Sequence, residues 1–594
     1  MAVTRGGRDP WPVALPAVLS ARNVSRSRGG QVILDGVSLS AGPGTRLGVV
    51  GPNGIGKSTL LRILAGLEAP DRGAVERSPA SLRVGYLAQE PDAYPGETLL
   101  AYLARRTGVA AASVELDRAT EALSGAAEVS GTPGAPSSAT EALTGAAEVR
   151  SGAASAPSSG EAGAIGAHSE SLERFMALGG DDFDARAAVT CAEVGLSGDR
   201  LAAVVGELSG GQAARAGLAA ILLSRFDVFF LDEPTNDLDF AGLDRLEGFI
   251  AGVKGAVVVV SHDRAFLDRS VGRILEIDDH SHAAVEYAGA WSEYVERRSL
   301  DRTHHREQYQ AWLGERRRLV ERVRTQRSWS EHGVKRAARK PRDHDRAQRG
   351  FFVNRTEKQA SKVRISERAL GRLGTLDKPW EGWQLNLELT GSGRSGDVVA
   401  RLDGATVERG SFRLGPVDVQ VDWQDRVAVT GPNGGGKSTL LAALAGHVRL
   451  SAGTRFVGPG VVIGELDQRR RRLDVAPTLL DGIAADTGLV PEEARSLLAK
   501  FGLGADHVGR HSTQLSPGER TRAQLAAVMG RRVNCLVLDE PTNHLDLPAI
   551  EALEAALESY DGTLLVVTHD RWLLETVSLT RTLHVAGGRV AEEA

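Results

Sequence analysis

GPNGIGKSTLL, residues 51–61, returns as GPNGGGKSTLL at residues 431–441, and each copy satisfies the pattern GxxxxGK[ST]. An apolar run precedes each copy, RLGVV at 46–50 and RVAVT at 426–430, and a helix-like run follows. Strand, glycine loop and helix in that order are the context the pattern requires. Glycines let successive backbone N–H groups turn toward phosphate oxygens at a helix N-terminus, forming an anion nest. Gly51, Pro52, Asn53, Gly54, Ile55, Gly56, Lys57, Ser58 and Thr59 therefore make one nucleotide-binding loop. Gly431, Pro432, Asn433, Gly434, Gly435, Gly436, Lys437, Ser438 and Thr439 make the other. Lys57 and Lys437 are placed to reach the β- and γ-phosphates of a nucleotide, and Ser58 and Ser438 to hold Mg²⁺.

The repetition extends beyond the loops. FFLDEPTNDLD (229–239) returns as LVLDEPTNHLD (536–546), and SHDR (261–264) returns as THDR (568–571). These pairs, and Ser209 with Ser516, share an offset of 307 residues, whereas the phosphate loops are 380 apart. The first copy of the domain thus holds about 73 extra residues between its phosphate loop and Ser209. Part of that excess is an internal duplication, ATEALSGAAEV (119–129) and ATEALTGAAEV (139–149). With few large apolar residues to offset ordering entropy, the tract of about 119–165 reads as a flexible loop with room for transient helix. The fold class is α/β: two P-loop nucleotide-binding domains, 1–295 and 379–594, joined by a helical linker, 296–378.

Each apolar run VFFL and LVL ends in two carboxylates, a buried-strand pattern delivering acid to the phosphate end of a sheet. Asp232 and Asp539 are the candidate Mg²⁺ ligands. Glu233 and Glu540 come next in line, suited to polarising an attacking water. His262 and His569 follow the runs AVVVV and LLVV, where an imidazole senses a γ-phosphate or serves as a satisfied structural group. Their shared offset favours the first role.

Composition narrows the setting. Charged residues are 25% and hydrophobic residues 42%, ordinary for a globular protein. No apolar run approaches the roughly 20 residues a bilayer crossing needs. The N-terminal stretch, with prolines in its only apolar part, is a poor secretory signal. Cys191 and Cys535 are too few for a disulfide framework or a zinc or iron–sulfur site, which points to a reducing cytoplasm. The net charge of −5 hides an asymmetry: Arg297 to Arg372 carries 23 Lys and Arg against 9 Asp and Glu, leaving −19 elsewhere. A basic middle on an acidic body signals a polyanionic partner. Leu300, Tyr309, Trp312, Leu319, Val320 and Val323 recur at helical spacing through it. Gly333, Pro341 and the DHD at 343–345 interrupt the pattern, and 346–371 resumes it, as in an antiparallel helical hairpin.

LSGGQ (208–212) lies upstream of the first carboxylate pair, LSPGE (515–519) upstream of the second, and GYLAQ and GELDQ end in Gln89 and Gln468. With the loops and carboxylates, these resemble the motif set of ATP-binding-cassette ATPases over nearly the whole chain outside 119–165 and the linker. The resemblance implies that Gln89 and Gln468 belong to the nucleotide and metal sites. It also implies that the cassettes close head to tail, each signature capping the other's phosphate loop. Site one would then pair Lys57, Ser58, Asp232, Glu233 and His262 with Ser516 and Gly518. Site two would pair Lys437, Ser438, Asp539, Glu540 and His569 with Ser209, Gly210, Gly211 and Gln212. Pro517 lacks a backbone N–H, which makes site one the slower candidate. The first copy has no aromatic at 25–32 to stack a base, whereas Phe412 can stack one or pack in the core of the second. GTP is therefore an open alternative to ATP.

Two cassettes around an arginine-rich helical linker resemble the ABC-F family of ribosome-associated ATPases. That likeness implies a monomer with paired cassettes, bound to the 70S ribosome through rRNA and the P-site tRNA, with no DNA partner. It places the linker in the tRNA exit site with its tip near the peptidyl-transferase centre. Candidate RNA contacts are Arg316, Arg317, Arg324, Arg327, Trp329, Lys335, Arg336, Arg339, Lys340 and Arg342, since guanidinium forks pair with phosphate and stack on bases. Trp329, Phe351 and Phe352 could stack on bases or hold the two helices together. The tract 119–165 lacks the charge of an RNA-gripping arm. Within the family, protection against macrolides or lincosamides and general translation-factor work on stalled ribosomes compete. The reading from another class is the ATPase of an exporter whose membrane subunits are separate.

Overall fold

A computed structural model describes residues 18–88, 93–130, 159–208, 210–236, 238–338, 361, 364–375, 393–410, 412–466, 476–543 and 545–593. The β-branched runs read as buried strands form the centre of two six-stranded sheets of the same topology. In the first, the strands Val84–Leu87, Val228–Asp232, Ala256–Val260, Arg46–Val50 and Arg273–Ile277 lie side by side and parallel. Ala284–Ala288 closes that edge antiparallel. The second repeats the order with Ile463–Leu466, Cys535–Asp539, Thr563–Val567, Arg426–Thr430, Arg581–Ala586 and Arg589–Glu593. Strands such as AVVVV are buried along their whole length, because parallel sheets are covered on both faces. A three-stranded antiparallel sheet accompanies each large one: Gln31–Ala41, Val18–Arg28 and Arg72–Ser78, then Phe412–Asp422, Val398–Arg409 and Ala452–Val457.

The helix after each phosphate loop, Lys57–Ala65 or Lys437–Ala445, turns Leu60 and Leu64 or Leu440 and Leu444 into the core between the two sheets. In the register of the first sheet Asp232 and Val49 both face Val260, so the ends of three strands meet at one edge. Ligands of open α/β sheets bind outside the carboxyl ends of the strands, and here those ends carry the loop, the acid pair and the histidine.

Where the extra residues of the first cassette are described they are helical, so the two ends of the 119–165 tract are not the loop expected there. Helices Val109–Ser130 and Ser159–Ala177 pack together, and Arg174 Nη1 meets Glu115 Oε2 at 2.9 Å. Alanine has the highest helix propensity of any residue, so 119–130 and 159–165 fold as helix even without large apolar side chains. The middle of the tract lies outside the described residues.

The chain divides into two compact units, Met1–Trp291 with Leu385–Ala594, and Ser292–Gln384. The helix Trp291–Ala338 runs 48 residues, about 72 Å at 1.5 Å per residue. Gly333, read as an interruption, lies inside it: one glycine costs a helix about 1 kcal/mol, too little to stop so long a run. Of the residues at helical spacing, Leu319 and Val323 are buried, whereas Leu300 and Val320 are exposed. The return segment is antiparallel. Trp312 Nε1 donates to the Leu373 carbonyl at 3.3 Å, Ser366 Oγ to Gln326 Oε1 at 2.9 Å, and Arg327 meets Glu367 at 2.6 Å. Among the described residues no helix is long and apolar enough to cross a membrane.

Candidate active site

Each phosphate loop ends in a glycine that only a residue without Cβ can be. Gly56 and Gly436 cap their helices at φ 105° and 113°. A Cβ there would lie 2.3 Å from Ile33 Cγ2 and 2.8 Å from Phe412 Cζ respectively. The lysines that follow are buried, which lowers both from the usual ammonium range. Lys57 Nζ donates to the carbonyls of Gly51 (2.8 Å) and Pro52 (3.1 Å). Lys437 Nζ donates to Gly431 (2.8 Å) and also to His569 Nε2 (3.0 Å), so that imidazole is neutral with its proton on Nδ1.

The acid pairs sit at strained backbone. Glu233 has φ 50° and Glu540 φ 49°, a left-handed conformation rare outside glycine. It is held in both cassettes by the glutamate's own N–H donating to the facing strand, to Val260 or Val567, at 2.9 Å. The turn carries the glutamate out of the strand toward the histidine. His262 Nε2 lies 3.2 Å from Glu233 Oε1, without hydrogen-bond alignment, and His569 Nε2 lies 3.6 Å from Glu540 Oε1. Burial pushes the Glu233 carboxyl up to about 7, against the pull of Lys57. Burial, with Lys57 adding to it, holds His262 well below the usual imidazole range, and burial with Lys437 pushes His569 down to about 3. With so weak a hold on a proton, both imidazoles stay neutral at physiological pH and are suited to hydrogen bonding beside the glutamates, not to accepting a proton.

Ser58 Oγ donates to Asp232 Oδ1 at 3.1 Å, and Tyr86 Oη to Asp232 Oδ2 at 2.9 Å. A hydroxyl and a carboxylate side by side are the hard-oxygen donors Mg²⁺ prefers, and it needs only one or two of them beside a nucleotide's phosphates. Tyr86 was missed in the sequence, although it lies three residues before Gln89.

The two cassettes meet across both loops. Asn433 N–H donates to Asp239 Oδ2 at 3.0 Å, and Asn53 N–H to Asp546 Oδ2 at 3.4 Å. Gly211 of the first signature approaches Asn433, where an added Cβ would stand 3.4 Å from the asparagine Cβ. A cavity of about 660 Å³ opens between the cassettes, lined by Lys437, Ser438, Asp539, Glu540 and His569 and by Gly211, Asn236 and Asp263 opposite. Phe412 lines it too, whereas Val32, 380 residues earlier, is 44% exposed. The link to site one runs through Asp546. On that side Ser516 caps its own helix, with its Oγ accepting from Glu519 N–H at 3.3 Å and its N–H donating to Glu519 Oε2 at 2.8 Å. Pro517 stands in the first turn of that helix. Gln89, Ser209, Gln468, Arg339, Lys340 and Arg342 lie outside the described residues. Trp329, Lys335 and Arg336 lie on the long helix, while Arg316, Arg317, Arg324 and Arg327 are exposed on it.

Twin phosphate loops with paired acids, on twin sheets of one topology, define an ATP hydrolase of the ATP-binding-cassette type. The ABC transporter family model matches residues 34–236 and 414–543. The Tylosin resistance ATP-binding protein of Streptomyces fradiae is 34% identical over 93% of this chain and 94% of its own length. The Energy-dependent translational throttle protein of Escherichia coli K12 is 30% identical over 92% of this chain and 88% of its own. The archaeal ribosome recycling factor, solved with a ribosomal stalk protein, superposes with a TM-score of 0.55 at 18% identity. It covers 96% of this chain and 89% of that one, a likeness of fold. The chain belongs to the ABC-F family of tandem-cassette ATPases.

Proposed function

We propose that this ATPase acts in the cytoplasm on the 70S ribosome, its cassettes closing on ATP and its basic hairpin entering the tRNA exit site. There the tip would approach the peptidyl-transferase centre and the P-site tRNA. The observation that carries this is the hairpin itself: Arg316, Arg317 and Arg324 stand exposed on a helix whose inner residues, Leu319 and Val323, are buried. Neutralising rRNA phosphate is what such a surface suits. A transporter ATPase gains nothing from it.

Within the sites, Lys57 and Lys437 bind the β- and γ-phosphates, together with the nests of Gly51–Thr59 and Gly431–Thr439. Ser58 and Asp232, and Ser438 and Asp539, would hold Mg²⁺, with Gln89 and Gln468 beside them; the ion would screen phosphate charge. Glu233 and Glu540 orient the attacking water, and His262 and His569 hold the γ-phosphate end. Ser209, Gly210, Gly211 and Gln212 complete site two, and Ser516 and Gly518 complete site one. Phe412 stacks a base at site two only, which leaves selection between ATP and GTP loose at site one.

Of the two jobs within the family, drug protection is the better supported, because the resistance protein from Streptomyces fradiae is matched along nearly its whole length. Macrolides and lincosamides are the proposed drugs. Expression in a sensitive host followed by a susceptibility panel tests this. A rise in inhibitory concentration confined to drugs of the peptidyl-transferase region supports it. An unchanged panel with a changed growth rate would favour the translation-factor role.

A further inference from the structure

The helix Phe240–Gly252 of the first cassette starts directly after Asp239, the residue bonded to the second phosphate loop. Phe240 reaches across to the second cassette. Its ring meets the imidazole of His569 edge to face, with centroids 5.1 Å apart and planes at 81°. The guanidinium of Arg571 lies 5.7 Å from the centre of the same ring. Arg571 is in turn tied to the helix that Phe240 begins, through Glu247 at 2.7 Å and Asp244 at 2.6 Å. One phenyl ring thus touches two residues of the segment THDR.

The other side of the molecule is built differently. Shifting by 307 residues puts Leu547 in place of Phe240, and a leucine has no π face to offer. Arg264, the counterpart of Arg571, lies over Trp572 at 5.2 Å and pairs with Glu554. The aromatic contact to a site histidine therefore belongs to site two.

We infer that Phe240 is a positioning residue for site two, fixing the His569 ring only while the first cassette is docked. This rests on the role given to His569 above. The bond from Lys437 fixes where Nε2 sits, but a histidine's χ2 torsion is broad and two-fold, so the ring still has several tilts about that bond. An edge-to-face partner selects one of them. Because the partner comes from the opposite cassette, turnover at site two depends on closure through a contact that His262 of site one does not make among the described residues.

The experiment is a double-mutant cycle on steady-state ATPase in the full chain. Phe240→Leu is expected to lower kcat about threefold with KM for ATP within twofold, while Phe240→Tyr, which keeps the ring, stays within 1.5-fold of the native chain. In a His569→Ala background, where site one still turns over, Phe240→Leu should add less than 1.5-fold, because both changes remove one interaction. Multiplying losses, or a Tyr variant as slow as Leu, would overturn the inference. A His569→Ala chain as fast as native would instead overturn the histidine's role. A melting curve for each variant separates either result from loss of fold.

Discussion

Asp239 serves two masters: one carboxylate oxygen caps its own helix through Gly242 N–H, and the other accepts the N–H of Asn433 in the opposite cassette, both at 3.0 Å. Asparagine caps helices as well as aspartate does, but turns an amide donor toward the Asn433 N–H. Asp239→Asn should therefore leave the melting temperature within about 2 °C while lowering ATPase turnover about fivefold. Asp239→Ala should also lose about 1 kcal/mol of stability. Turnover and melting of the two variants, measured together, check this.

Arg264 and Glu554 form a buried pair across the cassettes, 4% and 5% exposed. Removing one partner strands a charge, at a cost of about 3–5 kcal/mol, whereas an apolar replacement of both is close to neutral. Arg264→Ala should lower the melting temperature by several degrees, and Arg264→Met with Glu554→Leu should recover most of it. Arg571→Ala, at the more exposed counterpart, should do less. Thermal unfolding of the three variants ranks them.

Glu519 places its carboxylate on the N-terminus of its own signature helix, where the resemblance puts the γ-phosphate of site one. Against the upward push of burial, the Ser516 N–H and His507 hold it below the usual carboxylate range, so it is charged at neutral pH. Its counterpart in the first cassette is the neutral Gln212. Glu519→Gln in a Glu540→Gln background should raise site-one turnover about threefold, roughly the worth of one charge at a helix terminus. No change, or a fall, would contradict a capping brake.

Burial pushes the thiols of Cys191 and Cys535 up to about 11 and about 12. At pH 8 only about one in a thousand of the more acidic would be thiolate. Iodoacetamide should label neither in the native protein within an hour and both after denaturation. Mass spectrometry of the alkylated chain reads this directly.

The phosphate loops, acid pairs and histidines were legible because each is a short pattern on one local element, repeated at a fixed offset. Gly56 and Glu233 show why the patterns hold: their backbone angles admit few alternatives or carry strain. What escaped was anything whose partner lies far along the chain. Asp239 bonds a residue 194 positions away and Arg264 one 290 away, so no local pattern announces either. Asp239 ends the repeat LDEPTNDLD and Arg264 ends SHDR, and their recurrence as LDEPTNHLD and THDR was the available signal. The helical ends of the 119–165 tract, 119–130 and 159–165, were misjudged for another reason: alanine supports a helix by backbone propensity without advertising a core face.

Co-sedimentation with 70S ribosomes bears most directly on the function. The Glu233→Gln/Glu540→Gln chain, held closed by ATP it cannot hydrolyse, is predicted to pellet with ribosomes. Adding Arg316→Gln, Arg317→Gln and Arg324→Gln should release most of it and flatten its salt dependence. Equal pelleting with and without those arginines, or none by either chain, would contradict the account.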